Sequence, residues 1–174
     1  MFERHSALAG VSGSARIGES RGWALVQAAA FASTHSRFRE EMRAALGADL
    51  PTSVGTVVRV GERQLLKTGA EQYWIITHEG DDFTPVIPAA IGAVTSLSHS
   101  RTRMVIEGAG AGAVLAKGVP LDFHPDRFPI DRFALNGVHH TPVLIHRSGA
   151  QRYDIYALRT YALTVWEWLE DAAA

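Results

Sequence analysis

Apolar residues recur at helical spacing in one early segment of the chain. Those at i, i+4, i+7 and i+8 are Phe38, Met42, Ala45 and Leu46. Positions with this spacing lie on one face of an α-helix and can be buried together. Ser36 is a candidate N-cap, Gly47 stands where the helix would end, and Pro51 prevents its continuation. The pattern predicts an amphipathic helix between Ser36 and Gly47.

Short apolar runs separated by glycines predict strands along the rest of the chain. The strand candidates are residues 54–60, 64–67, 73–78, 93–97, 103–107, 138–147 and 152–157. Residues 23–31 fit either a strand or a buried helical turn, because periodicity does not separate the two in so short a run. Residues 109–117 are expected to form a short helix, and residues 148–150 (SGA) a hairpin turn.

The order of these elements predicts two lobes behind an N-terminal arm. Residues 81–88 contain two prolines and two acids, which is typical of a boundary. We therefore expect an arm at residues 1–22, a first α+β lobe at 23–88 and a second α+β lobe at 89–174. The arm is rich in Ser, Ala and Gly and has little apolar bulk, so it is either disordered or becomes ordered against a partner.

A C-terminal helix is predicted over residues 158–171. On a helical wheel its apolar residues fall within an arc of roughly 160°, which is wider than a simple amphipathic face. Trp166 and Trp168 stand at opposite edges of this arc, and Leu163 lies among polar residues. The tryptophans are either core residues or anchors of a subunit interface, where tryptophan is enriched.

Composition narrows the possible function classes. Of the 174 residues, 47% are apolar and 20% are charged, and the formal net charge is −1. This balance is typical of a folded domain and offers no basic surface for nucleic acid or an anionic membrane. The absence of cysteine excludes thiol catalysis and thiolate metal ligands. No apolar run reaches the roughly 20 residues of a membrane span, and none resembles a signal peptide, so we expect a cytoplasmic protein.

A glycine-rich turn at residues 108–113 (GAGAGA) satisfies the dinucleotide-binding pattern G-x-G-x-x-A between a predicted strand and a predicted helix. A Rossmann unit would then supply a parallel strand that ends in an acid about 20 residues on. That window, residues 123–129, contains two prolines, which argue against a central strand. Alternating Gly and Ala also suits a close strand-to-helix turn without a ligand. Nucleotide binding stays a minor alternative.

The eight histidines give little support to a metal site. They form neither an H-x-H nor an H-E-x-x-H arrangement, and His139 and His140 would point in opposite directions on a strand. We expect His78, His124 and His146 to be half-exposed residues of strands or loops.

The segment Ser98, His99, Ser100 and Arg101 is polar beside an apolar strand. Adjacent residues rarely reach the geometry of a nucleophile and its base, and no G-x-S-x-G motif surrounds either serine. We therefore expect the hydroxyl groups to cap backbone groups, and Arg101 to pair with an acid across a lobe or subunit interface.

Several separated motifs mark the second half of the chain. Residues 94–99 are VTSLSH, residues 115–125 are LAKGVPLDFHP, and residues 159–162 are RTYA, shortly before WEWL at 166–169. They resemble the motifs V-T-D-L-S-H, L-x-K-G-C-P-L-D-L-H-P and R-S-F-A of the gamma subunit family of heterotetrameric sarcosine oxidase. The resemblance is close over residues 93–172 and looser in the N-terminal half.

Two departures from the family pattern concern polar contacts. Ser96 stands where the family usually has Asp, and Ala109 and Gly110 stand where the related fold often has Gly-Pro-Asp. The apolar framework is unaffected.

The resemblance implies a fold related to the folate-binding, aminomethyltransferase-like domains. We expect an α+β chain with two small lobes of antiparallel or mixed sheet, packed helices and an extended N-terminal arm. In the complex that the resemblance implies, the alpha subunit carries NAD and a tetrahydrofolate-binding region, the beta subunit carries FAD, FMN lies between them, and the delta subunit binds zinc. The gamma subunit carries none of these.

We therefore hypothesise that this chain is a non-catalytic assembly subunit of a flavoenzyme. The flavoenzyme would oxidatively demethylate sarcosine or a related secondary N-methyl amine. The partners of this chain would be the alpha, beta and delta subunits, and none of its residues is assigned to catalysis, cofactor binding or metal binding. The candidates for the subunit interface are Leu8, Ser98, His99, Arg101, Trp166 and Trp168. The alternative is a free-standing protein of the same fold that binds tetrahydrofolate itself.

Overall fold

The computed structural model describes residues 5–13 and 16–174, which divide into two compact units. The first unit is Gly22–Ser98, and the second unit combines the residues up to Arg21 with His99–Ala174. The elements of the described chain are β1 (Ile17–Ser20), β2 (Trp23–Ala30), α1 (His35–Leu46), β3 (Val57–Val60), β4 (Arg63–Gly69), β5 (Gln72–His78), β6 (Gly92–Ser96), β7 (Arg101–Glu107), α2 (Ala111–Ala116), β8 (Phe133–Val138), β9 (Thr141–Gly149), β10 (Arg152–Leu158), a 3₁₀ turn (Arg159–Tyr161) and α3 (Ala162–Ala173). None of the helices in these residues is long and apolar enough to cross a membrane.

The first unit is a five-stranded sheet with α1 packed against it. The strand order is β3-β4-β5-β2-β6, and every neighbouring pair is antiparallel. The apolar face of α1, formed by Phe38, Met42 and Leu46, is buried with Tyr73 and Ile75 of β5. The predicted amphipathic helix is therefore confirmed, and the segment that fitted a strand or a helical turn is strand β2.

The two ends of α1 are set by Gly47 and Thr34. Gly47 has a φ of 65°, and its N–H donates to the carbonyl oxygen of Arg43 at 2.8 Å. Glycine reaches this left-handed conformation without a Cβ clash, so it ends the helix where expected. At the other end the residue before the helix is Thr34, and Ser36 lies inside the first turn. The prediction of Ser36 as N-cap is wrong.

The second unit is also a five-stranded antiparallel sheet, in the order β1-β7-β10-β9-β8. Alternate side chains of β7, β9 and β10 share one core with both helices. Met104, Ile145 and Ile155 contribute from the strands, Leu115 from α2 and Leu169 from α3. The predicted α+β class, with two sheets and few helices, is confirmed.

Residues 138–147 differ from the single strand that their apolar pattern predicts. They belong to two strands, because β8 ends at Val138 and β9 begins at Thr141. His139 and His140 form the turn between the strands, and His139 has a φ of 51°. The prediction that these histidines lie on a strand is therefore wrong, and most of β8 was not predicted at all.

The division between the units falls about ten residues later than the boundary expected after residue 88. The reason is β6, which pairs with β2 from Val26 opposite Ser96 to Ala30 opposite Gly92. This pairing keeps β6 in the sheet of the first unit.

The described part of the N-terminal arm packs on the second unit of its own chain. Ile17 to Ser20 form β1 at the edge of the sheet, paired with β7. Leu8 is 3% exposed and belongs to the core of this unit. Ser6 Oγ donates to the Glu19 carboxylate at 2.7 Å. Residues 1–4 and 14–15 of the predicted arm lie outside the described residues.

Candidate functional site

The arm and helix α3, both predicted interface elements, contact each other in the second unit. Trp166 is 4% exposed and shares the core with Leu8. A Cβ atom at Gly13 would overlap the Ile17 carbonyl oxygen and lie 2.8 Å from Cζ2 of the Trp166 ring, so glycine is required where the arm passes this tryptophan. The Arg159 guanidinium also donates to the carbonyl oxygen of His5. Leu8 and Trp166 thus hold the arm on the helix.

Trp168 occupies a different environment from Trp166 on the same helix. It is half-buried, and its ring passes so close to Gly118 that a Cβ there would lie 2.5 Å from Cζ2. The His139 ring meets it edge-on at 5.9 Å between centroids. Near the start of the same helix Tyr161 and Leu163 are 45% and 48% exposed. Trp168 is therefore the tryptophan of α3 that keeps accessible surface beside the core.

The polar turn from Ser98 to Arg101 is anchored by backbone hydrogen bonds. Within the first unit, Ser98 Oγ accepts from the N–H of Leu25 at 2.9 Å. Within the second unit, Arg101 Nη1 donates to Ser100 Oγ at 3.0 Å, and burial lowers the Arg101 pKa. His99 is exposed. The Ser98 hydroxyl thus has the capping role that was expected of it.

A buried charged cluster in the sheet of the second unit was missed from the sequence. Asp154 is fully buried and accepts a hydrogen bond from Arg103 Nη2 at 2.9 Å. His146, also fully buried, lies 3.8 Å from the same carboxylate and 3.4 Å from Asp131. Burial acts to lower the Arg103 pKa, but Tyr156 and Asp154 outweigh it and raise that pKa above its usual value. We call Arg103, Asp154, His146 and Asp131 the charged cluster.

The prediction of His146 as a half-exposed residue is wrong. His146 stands opposite Asp154 across β9 and β10, and this pairing places its ring beside a carboxylate inside the protein. The sequence feature that could have indicated this burial was a histidine and an acid within otherwise apolar strands. His78 and His124 are exposed, with 56% and 64% of their side-chain surface accessible.

The glycine-rich turn connects β7 to α2 without a nucleotide-binding framework. Gly108 and Gly110 have φ values of 101° and 88°, which favour glycine over residues with a Cβ. The neighbours of β7 are both antiparallel, and the helix that follows has six residues. A Rossmann unit instead requires a parallel sheet. Within residues 5–13 and 16–174, no group of three or more His, Cys, Asp or Glu could hold a metal ion.

Sequence comparison relates this chain to one protein family. Residues 28–174 match the sequence model of the sarcosine oxidase, gamma subunit family. The sarcosine oxidase subunit gamma of Arthrobacter sp. is 32% identical over 136 residues, which cover 75% of this chain and 67% of that protein. The corresponding subunit of Corynebacterium sp. (strain U-96) is 30% identical over 136 residues, covering 75% of this chain and 66% of that protein. The matches thus span about two thirds of these relatives.

Structural comparison finds the same fold in solved proteins, among them a sarcosine oxidase chain and an aminomethyltransferase. A chain of the heterotetrameric sarcosine oxidase from Corynebacterium sp. U-96 superposes with a TM-score of 0.80 at 24% identity, covering 97% of this chain and 94% of that chain. The glycine cleavage system aminomethyltransferase T from Bartonella henselae superposes with a TM-score of 0.62 at 16% identity, covering 89% of this chain and 45% of that one. The predicted relation to aminomethyltransferase-like domains is confirmed at the level of the fold.

Proposed function

Because this chain belongs to the sarcosine oxidase gamma subunit family, we propose that it is the non-catalytic assembly subunit of a heterotetrameric flavoenzyme. That enzyme oxidatively demethylates sarcosine or a related secondary N-methyl amine, with tetrahydrofolate as the one-carbon acceptor. FAD, FMN, NAD and zinc are carried by the alpha, beta and delta subunits. The observation that carries the proposal is the family match, which extends over residues 28–174.

The hydrogen bonds of the potentially reactive side chains support a role in subunit assembly. The Ser98 hydroxyl is bonded to the backbone of Leu25. Asp154 and His146 of the charged cluster are fully buried in the sheet, where Asp154 is bonded to Arg103. General acid–base and nucleophilic catalysis require such groups to reach a substrate. These groups instead bond to the protein itself.

The proposed contact surface combines exposed residues with the buried residues that support them. His99, Trp168, Tyr161 and Leu163 offer accessible aromatic and apolar area, and such residues are enriched at the centres of interfaces. Leu8 and Trp166 contribute indirectly, because they hold the arm on α3. Ser98 and Arg101 fix the turn that presents His99.

Co-expression of the four subunits tests the proposal. Omitting this chain is expected to reduce both the yield of the flavin-containing complex and the total sarcosine-oxidising activity, and supplying it restores both. A fully assembled and fully active enzyme without this chain would overturn the proposal.

Equilibrium binding of tetrahydrofolate to the purified chain distinguishes the free-standing folate-binding alternative. The non-catalytic subunit is expected to bind no folate at concentrations that saturate a dedicated folate-binding protein. Saturable binding to the chain alone would favour the alternative.

A further inference from the structure

A cavity of about 430 Å³ in the first unit lies beside helix α1 and strands β4 and β5. This volume is within the range of small-molecule sites, about 300–1,000 Å³. The residues that line it with charged or hydroxyl-bearing side chains include Arg39, Arg43, Lys67 and Tyr73. The cavity is thus surrounded by three cationic groups from α1 and β4.

Lys67 is the unusual member of this set. It is only 9% exposed, and its Nζ donates to the carbonyl oxygen of Thr52 at 2.9 Å and lies 5.8 Å from the centroid of the Tyr73 ring. No Asp or Glu of the described residues forms an ion pair with it. Lysine is rarely buried without a charged partner, because removing an ammonium group from water is costly. An ammonium has three donors, so two stay available for a ligand.

The acids near the cavity are occupied elsewhere or exposed. Glu71 accepts from Arg39 at 2.7 Å, and Asp49, which is 99% exposed, lies 3.5 Å from Arg43. Glu40 lines the cavity as an exposed carboxylate. None of these carboxylates pairs with Lys67, so an anion from outside the chain would supply the missing partner.

Tyr73 also lines the cavity, but its hydroxyl faces the Glu71 carboxylate. Burial, together with the neighbouring Glu71, raises the Tyr73 pKa to about 12. The donors available to an oxyanion are therefore the Lys67 ammonium and the Arg43 guanidinium, which form charge-assisted hydrogen bonds.

We propose that this cavity binds a small oxyanion, a carboxylate or a phosphate, whose charge is neutralised by Lys67 with Arg43 at the rim. The inference concerns the first unit alone and is independent of the assembly role. Carboxylate and phosphate ligands would be recognised by the same cationic groups. Titration with each anion separately shows which of them the cavity binds.

Selective isotope labelling of lysine gives a direct measurement, because Lys67 and Lys117 are the two lysines of the chain. The full chain is labelled with ¹³C,¹⁵N-lysine, and the two side-chain signals are followed by NMR during titration with sodium phosphate or sodium succinate. Sodium chloride at matched ionic strength is the reference. Lys117 is the internal control, since its Nζ also donates to a backbone carbonyl, that of Ala172 at 2.6 Å. The Lys67 signal alone is expected to shift in a saturable manner.

Substitutions locate the binding at the cavity. Lys67→Met is expected to weaken anion binding, measured by calorimetry, about tenfold or more, since a hydrogen bond to a charged group is lost. Arg43→Gln is expected to weaken it less, and Lys117→Met not at all. Equal shifts of both lysine signals, or no shift beyond that in chloride, would overturn the proposal. So would a Lys67 signal that responds only after partner subunits bind, since a partner's carboxylate would then fill the cavity.

Discussion

The two units build similar five-stranded antiparallel sheets, and two of their cations, Arg103 and Lys67, have different kinds of partner. In the second unit Arg103 meets the fully buried carboxylate of Asp154 at 2.9 Å. In the first unit Lys67 is 9% exposed, and its bonding partner is a backbone carbonyl. A cation whose charge is met by a carboxylate inside the protein is costly to unpair and helps to fix the register of its strands. A cation that lacks one remains available to a ligand.

The charged cluster also specifies how its strands pair. Asp154 stands opposite His146 on β9 and opposite Val105 on β7, and Arg103 stands opposite Tyr156. A shift of one residue would move these side chains to the other face of the sheet. Misaligned pairing would therefore place charges in the apolar core, and that cost favours the observed register.

The largest change in stability is expected when the ion pair of the charged cluster is broken. Asp154→Asn leaves the buried Arg103 without its counter-charge, which should lower the free energy of unfolding by about 3–5 kcal/mol. Urea denaturation measures the change. Glu107→Gln is the matched control, because Glu107 pairs with Arg152 at 2.6 Å on the surface and should cost less than about 1 kcal/mol. Equal losses for the two variants would show that burial of the pair does not matter.

A smaller effect is expected at the contact between the arm and α3. Gly13→Ala forces a Cβ against both the Ile17 carbonyl oxygen and the Trp166 ring, which should cost about 1–3 kcal/mol and speed tryptic cleavage at Arg16. Gly18→Ala is the control, since a Cβ at Gly18 meets nothing within 4 Å. Cleavage that is unchanged by Gly13→Ala would contradict the packing of the arm on the helix.

Removing the Lys67 ammonium group should have little effect on stability. Lys67→Met loses one hydrogen bond but also the cost of burying an unpaired ammonium, so the free energy of unfolding in anion-free buffer should change by less than about 1 kcal/mol. Added phosphate should then raise the melting temperature of the wild type and not that of the variant. A loss as large as that of Asp154→Asn would mean that Lys67 is already fully paired.

The smallest effect concerns a half-buried ion pair and its pH dependence. Hydrogen bonding from Arg63, at 2.7 Å, holds the pKa of Asp81 below its usual range. Because the folded pKa lies below the unfolded one, the stabilisation is present above the unfolded pKa and is lost as pH falls through the folded value. The difference in urea midpoint between wild type and Asp81→Asn should be constant near neutrality and close below about pH 4. A difference that persists in strong acid would contradict this.

The sequence predicts an element correctly where the pattern within that element is sufficient, as in helix α1. Phe38, Met42 and Leu46 recur on a single helical face, and Gly47 ends the helix by local backbone chemistry. Such signals need no knowledge of distant residues. The family motifs of the second half likewise led to the fold class.

The features that were not predicted, strand β8 and the charged cluster, depend on pairing between residues that are distant in sequence. Residues 133–138 include Asn136 and Gly137, which weaken a strand pattern, and their place is set by register with β9. The charged cluster joins residues that are far apart in sequence, so only the sheet brings them together. The described part of the arm packs on its own chain, because two apolar residues, Leu8 and Ile17, are enough to dock a segment of small residues onto an existing core.

The most direct test of a contact role is the turnover per bound flavin in complexes purified with this chain or with its surface variants. Leu163→Glu and Trp168→Ala are expected to lower the yield of assembled complex and to leave the turnover per flavin of the assembled fraction unchanged. A normal yield of assembled complex with a reduced turnover per flavin would contradict the assembly role and place this chain in the chemistry of the enzyme.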